Sequence, residues 1–112
     1  MSRDEVAIEA EIQSKGLNAP RLNPAHIDEQ IVAEYVTRAS DAFAGAPIHD
    51  SLKCLTLCVL VLKNGYVVTG ESACASPANF DAEIGRKIAR DNARNKIWAL
   101  EGYLLRSKLA AS

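Results

Sequence analysis

Residues 54–75, "CLTLCVLVLKNGYVVTGESACA", decide the fold. Two β-rich runs flank Asn64-Gly65, and an Asn-Gly pair between apolar runs is the strongest short-range sign of a β-hairpin. A two-residue turn there pairs Lys63 with Tyr66, Leu60 with Thr69 and Cys58 with Glu71. The first run, "CLTLCVLVL", is apolar at nearly every position, so both faces of that strand need cover. One face is expected beneath the helices. The other needs something else, such as a second subunit.

Downstream, Ser76-Pro77 punctuates the exit and a long helix is predicted from about 81 to 108. Asp81 and Glu83 near its start, with Arg106 and Lys108 near its end, suit the helix dipole. Upstream, Asn23-Pro24 joins a capping side chain to a proline at the first helical position. Ile27, Ile31, Val32 and Tyr35 then share one face at helical spacing, which predicts an amphipathic helix over 24–37. Residues 37–51, "TRASDAFAGAPIHDS", read as loop, with room for a short strand around 38–43. Residues 3–16, "RDEVAIEAEIQSKG", read as a short helix stopped by Gly16, and "LNAPRLNPAH" as an extended linker. The expected fold class is therefore α+β: an N-terminal helix, an antiparallel β-hairpin (about 53–74) and a long C-terminal helix (about 81–108). The whole chain, 1–112, is expected to be one domain, with 1–22 a loosely held arm and linker.

At 112 residues the chain is close to the smallest size that supports its own core, which favours a homo-oligomer. No segment approaches the roughly 20 apolar residues needed to span a bilayer, and the acidic N-terminus lacks an apolar leader core. No membrane partner and a cytoplasmic location are expected. The three cysteines make no disulfide framework. Cys54 and Cys58 would lie roughly 13 Å apart along one strand face, too far to share a metal. Cys74 falls near Cys54, which permits a facultative bridge, although free cysteines are most often inert small hydrophobes.

Charge is uneven. Residues 1–52 carry four Lys/Arg against nine Asp/Glu, a sum of −5, and residues 53–112 carry nine against five, a sum of +4. Such halves read either as an acidic cover with a basic working half or as two parts that attract each other. The positive charge concentrates on "NFDAEIGRKIARDNARNKIW", residues 79–98. Arg86, Arg90 and Arg94 form a row at i, i+4, i+8, with Lys87 beside them and Asn92 and Asn95 on the other flank. Glu83–Lys87 and Lys87–Asp91 are ordinary helix pairs worth about 0.2–0.5 kcal/mol each, so a solvated face explains part of the pattern. Three arginines in register suit a phosphate ligand better than lysines would. Phe80, at the head of the helix, reads either as a ring for stacking or as a plug between helix and sheet. Gly85, Ala89 and Ala93 recur every fourth residue and let another backbone come close. Gly in a helix interior costs about 0.8–1.0 kcal/mol against Ala, so Gly85 is expected to serve packing first.

Catalytic patterns are lacking. The sequence has no nucleophile triad order, phosphate loop or dinucleotide fingerprint. His26 and His49 have no metal-like spacing. Asp81 and Glu83 sit beside basic residues that keep both ionised, the wrong state for a general acid. No enzyme, metal or cofactor is expected.

The run "VLVLKNGYVVTGESACASPANFDAEIG", with "KIWALEGYLL" after it and "EIQSKGLNAPRLNPAHIDEQIVAEY" before it, resembles a family of small phage and prophage proteins similar to phage gene products 49 and 66. The resemblance covers about residues 11–108. More remotely, a β-hairpin followed by a basic helix bearing Asn and Arg is similar to the first-described Thoeris anti-defence proteins. Those are phage sponges for cyclic ADP-ribose-type signals, and a related helical hairpin occurs in anti-CBASS sponges for cyclic oligonucleotides. The resemblance implies binding without turnover in an oligomer, with a cyclic nucleotide as partner. It further implies Phe80 as a stacking aromatic, Arg86, Arg90 and Arg94 as phosphate partners, and Asn92 as a lesser ligand-binding residue. Two rivals stand beside it: a protein-binding inhibitor of a host enzyme, and a small nucleic-acid-binding accessory protein. The net charge of −1 and pI near 6.1 count against the latter.

Overall fold

The structure is a computed structural model, and it describes residues 4–43 and 45–112. It is an α+β fold in which one long helix crosses a three-stranded antiparallel sheet. The chain runs α1 (Glu5–Ser14), α2 (Pro24–Glu29), β1 (Ile31–Arg38), α3 (Ala39–Ala42), β2 (Leu55–Leu62), β3 (Val67–Ala73) and α4 (Ala82–Ala110). Short 3-10 turns, Asp50–Cys54 and Pro77–Asn79, lead into β2 and towards α4. The strand order is β1-β2-β3.

The expected N-terminal helix ends at Ser14, capped by Lys15, and Gly16 follows with a φ of +65° in the left-handed region glycine favours. The helix predicted over 24–37 is a correction. Its cap forms as read, Asn23 Oδ1 accepting from the His26 amide at 2.8 Å, but the helix stops at Glu29. Residues from Ile31 onward instead pair with β2, from Ala33↔Val61 to Arg38↔Thr56, with a bulge between Ile31 and Ala33. Val32, Tyr35, Val36 and Thr37 are β-branched or aromatic, and the edge of β2 offers them a full ladder of hydrogen bonds. The short strand expected around 38–43 is likewise replaced by α3, where small residues follow the end of β1.

The hairpin forms where predicted, one residue out of register. Its turn has three residues, Lys63-Asn64-Gly65: the Gly65 amide donates to Leu62 O and the Leu62 amide to Tyr66 O, both at 2.8 Å. Gly65, at φ +87°, supplies the left-handed residue such a turn needs. The pairs are Leu60↔Val68 and Cys58↔Gly70, not Leu60 with Thr69 and Cys58 with Glu71. A slip of one residue exchanges the two faces of a strand. Here it places Val68 and Gly70 against the core and leaves Glu71 facing outward.

The core lies between the sheet and α4. Cys58, Leu60, Leu62 and Val68 meet Ala89, Ala93 and Ile97, and Ile27 closes one end. The small-residue row does admit another backbone, and it is that of β3. A Cβ on Gly70 would run into Ala89 O and Ala93 N. Gly85 sits over the Thr56 side chain. At 29 residues α4 is about 43 Å long, against about 25 Å for strands of seven or eight residues. Its C-terminal end therefore stands proud, with Tyr103 79% exposed.

Candidate functional site

Phe80 follows the Pro77–Asn79 turn and is half-buried at the head of α4. The guanidinium of Arg38, from the end of β1, lies 3.8 Å from the centre of its ring. Arg38 Nε donates to Lys53 O at 2.6 Å, which holds the guanidinium plane in place. Among the described residues no carboxylate pairs with it. Both side chains border a concavity of about 570 Å³, together with Thr37, Asp41, Thr56 and Arg86.

Arg86 and Arg90 converge on one acid. Arg86 Nη2 lies 2.8 Å from Glu34 Oε2 and Arg90 Nε lies 2.6 Å from Glu34 Oε1. The hydrogen bond from Arg90 holds the Glu34 carboxyl below the usual carboxylate range, against the opposing effect of its partial burial. Two guanidinium groups on one carboxylate leave a positive charge over. The Arg86 side chain, 51% exposed, presents it at the rim of the concavity.

Arg94 is placed differently. It is buried, and three acceptors take its donors: Asp28 Oδ1 at 2.7 Å, Glu5 Oε2 at 2.5 Å and Pro24 O at 3.3 Å. Burial works against its charge, but the hydrogen bonds to Glu5 and Asp28 outweigh it and raise its pKa further. Trp98 Nε1 donates to the same Glu5 oxygen at 3.1 Å, so this group fastens α1 and α2 to α4. Asn92 Nδ2 donates to the Glu71 carbonyl at 2.8 Å and steadies the edge of β3.

Of the five residues singled out by sequence, Phe80 and Arg86 thus share a concavity and Arg90 adjoins it through Glu34. Arg94 is two turns further along α4, and Asn92 is on the side facing β3. Sequence reasoning missed Arg38 and Glu34. Their signal lay in "VAEYVTR", a β-rich run whose strand character puts Glu34 and Arg38 on the same face. Tyr66, a further aromatic at the hairpin, lines a separate hollow of about 320 Å³ with Lys63, Leu100, Glu101 and Tyr103.

Neither histidine joins these groups. His26 Nε2 lies 2.7 Å from Glu101 Oε1, and His49 Nδ1 accepts from the Ser51 amide at 3.1 Å. Cys54 and Cys74 face each other across the hairpin, the Cys74 amide donating to Cys54 O at 3.0 Å, and all three cysteines are free. Burial pushes the thiols of Cys54 and Cys58 up, so both remain protonated and weakly nucleophilic. Among the described residues no cluster of His, Cys, Asp and Glu is fit to hold a metal, and no helix is long and apolar enough to cross a membrane.

No curated protein and no solved structure matches this chain. A family sequence model does, over residues 22–109, a span that takes in the sheet, α4 and every side chain around the concavity. On that match, the chain belongs to the phage protein (N4 Gp49/phage Sf6 gene 66) family.

Proposed function

We propose that the protein is a phage-encoded anti-defence accessory protein that binds a cyclic nucleotide immune signal and withholds it without turnover. The signal would be of the cyclic ADP-ribose or cyclic oligonucleotide type. The observation that carries this reading is the placing of Arg38 over Phe80, with Arg86 at the rim of the same concavity. A flat guanidinium held over a ring extends the surface on which a base stacks. The remaining Arg38 donors and the surplus charge at Arg86 then meet phosphate oxygens. A volume of about 570 Å³ falls within the range of small-ligand pockets.

Magnitudes set what the site must do. Two charge-assisted hydrogen bonds of about 1.5–3 kcal/mol each supply about 3–6 kcal/mol. Nanomolar binding needs about 12 kcal/mol, so stacking and exclusion of water must provide the rest. Withholding a signal requires no acid or base, and the reading assigns none. In this reading the protein works as a homo-oligomer in the cytoplasm of the host cell.

Isothermal titration against cyclic ADP-ribose isomers and cyclic di- and trinucleotides tests it, with the ligand recovered after denaturation. The expected result is tight binding of one class, released chemically intact. Arg38→Ala and Arg86→Ala should each weaken binding about tenfold or more. Silence across the panel would sink the reading, and altered ligand on recovery would make the protein an enzyme.

A further inference from the structure

We infer that the face beneath α1 is a docking surface for an acidic helix, and that α1 is its resident occupant, exchangeable for a helical segment of another protein. At ten residues α1 is shorter than the roughly 12–15 an isolated helix needs to hold its shape in water, so it depends on what it docks against. Yet none of its residues is buried, and none belongs to the core between the sheet and α4. Its half-buried residues are Glu5, Glu9 and Ile12, a single stripe at i, i+4 and i+7. An amphipathic helix laid in a shallow groove makes contacts of this kind.

The groove meets that stripe point by point. Glu5 Oε2 accepts from Arg94 Nη1 at 2.5 Å and from Trp98 Nε1 at 3.1 Å. One turn later Arg21 grips Glu9 with both ends of its fork, Nη1 to Oε1 and Nη2 to Oε2, each at 2.8 Å. Between them Ile8 and Ile12 face Leu22, Pro24 and Trp98 across a hollow of about 60 Å³. These walls stand without α1. Asp28 Oδ1 and Pro24 O also hold Arg94, Arg21 donates to Leu22 O at 3.2 Å, and Leu22 and Trp98 pack on the core. A surface fixed in advance loses little freedom on binding. The family match over residues 22–109 takes in Leu22, Pro24, Arg94 and Trp98, whereas α1 lies outside it.

The spacing selects the occupant. A helix brings carboxylates at i and i+4 to within about 6 Å of each other, while a strand would spread them to about 13 Å. A small anion would reach one guanidinium and leave the apolar hollow empty. The fitting segment is therefore a helix reading Glu-x-x-Ile-Glu-x-x-Ile, as Glu5, Ile8, Glu9 and Ile12 do here. Tethered through residues 15–23, α1 competes at an effective concentration on the order of millimolar, so a partner enters when α1 opens locally. Arg38, Phe80 and Arg86 line the other concavity and none of them lines this one, so the outcome is separate from nucleotide binding.

Fluorescence anisotropy decides, with a dye-labelled alanine-based helical peptide that carries Glu-x-x-Ile-Glu-x-x-Ile and is otherwise unlike α1. Glu5→Gln/Glu9→Gln in the full chain loosens α1, and this variant should bind the peptide about tenfold or more tightly than the unmodified chain. Adding Arg21→Ala should remove that gain, and a peptide with Gln in place of both Glu should bind neither chain. Glu9→Gln alone leaves Glu5 on Arg94 and should give a smaller gain in the same direction. On the unmodified chain, saturating peptide should speed hydrogen exchange at the α1 amides and leave those of β2 unchanged. No gain in either loosened chain, equal binding of the Gln peptide, or α1 amides indifferent to saturating peptide would each overturn the inference.

Discussion

Arg86, Arg90 and Arg94 look alike in sequence, four residues apart on one helix, yet they have different tasks. What separates them is the acids they meet. Asp28 and Glu5 reach Arg94 from 66 and 89 residues away, and no local pattern reports contacts at that range. Removing Arg94 strands the Glu5 carboxylate, whose side chain is 15% exposed, beside Trp98. Arg94→Ala is therefore expected to cost about 2–4 kcal/mol in urea unfolding, and Arg86→Ala under about 1 kcal/mol. Equal losses would show that Arg94 is not the fastening. Acid should act through the same kind of group. Glu34 and Glu9 have folded pKa values below the unfolded value of 4.5, Glu9 at about 2 through its hydrogen bonds from Arg21. A depressed carboxyl stabilises the fold above its unfolded pKa, and that contribution is lost as pH falls through the folded value. Melting temperature should hold steady above pH 4.5 and decline below it. In Glu34→Gln the decline should be shallower, because one of the titrating carboxyls is gone. Phe80 was legible as an aromatic at a helix start; its partner Arg38 was not, since the stretch from 38 onward read as loop.

At the scale of elements, the hairpin, the α1 stop and α4 could be read from capping, turn and periodicity signals. Residues 31–38 could not, because Ile27, Ile31, Val32 and Tyr35 satisfy a helical period while the residues themselves prefer strands. Pairing with β2 settled it, and pairing is a long-range event. The register was hidden for a related reason. Asn64-Gly65 serves a two-residue turn or the three-residue turn seen here, and only burial of Val68 in place of Thr69 selects between them. The small row on α4 was legible as a backbone contact, though not as a contact with Gly70. That contact makes a graded prediction. Gly70→Ala drives a methyl into helix backbone that cannot yield, at an expected cost of about 2–3 kcal/mol. Gly85→Ala meets the Thr56 side chain rather than backbone, and the helix propensity it gains, about 1 kcal/mol, offsets part of that clash. Chemical denaturation should rank Gly70→Ala well below Gly85→Ala; the reverse order would mean that α4 does not lie on β3 as described.

For the molecule as a whole, the opposed charges of the two halves turn out to join one chain to itself. Glu5, Asp28 and Glu34 from the acidic half hold Arg86, Arg90 and Arg94 from the basic half. Most of the charge that suggested an anion site is thereby spent internally, and in the proposed reading the surplus at Arg86, with Arg38 from the other half, is what would meet a ligand. The apolar count behaves otherwise: among the described residues nothing covers the outer residues of β2 (Leu55, Leu57, Val59 and Val61) fully, and they stay half-buried. If a second copy supplies the cover, folding and association are one equilibrium, and melting must depend on concentration. For a dimer, a tenfold rise in protein adds about 0.7 kcal/mol per chain, which raises the melting temperature by about 3 °C. Scanning calorimetry of the ligand-free protein over a hundredfold range should therefore show a rise of about 6 °C. Tyr35→Lys, beside Val59 on the outer face, should abolish the slope and lower the melting point towards that of an isolated chain. A flat line for the unmodified protein, at concentrations where sedimentation finds it single, would mean that the apolar sheet face is tolerated in water.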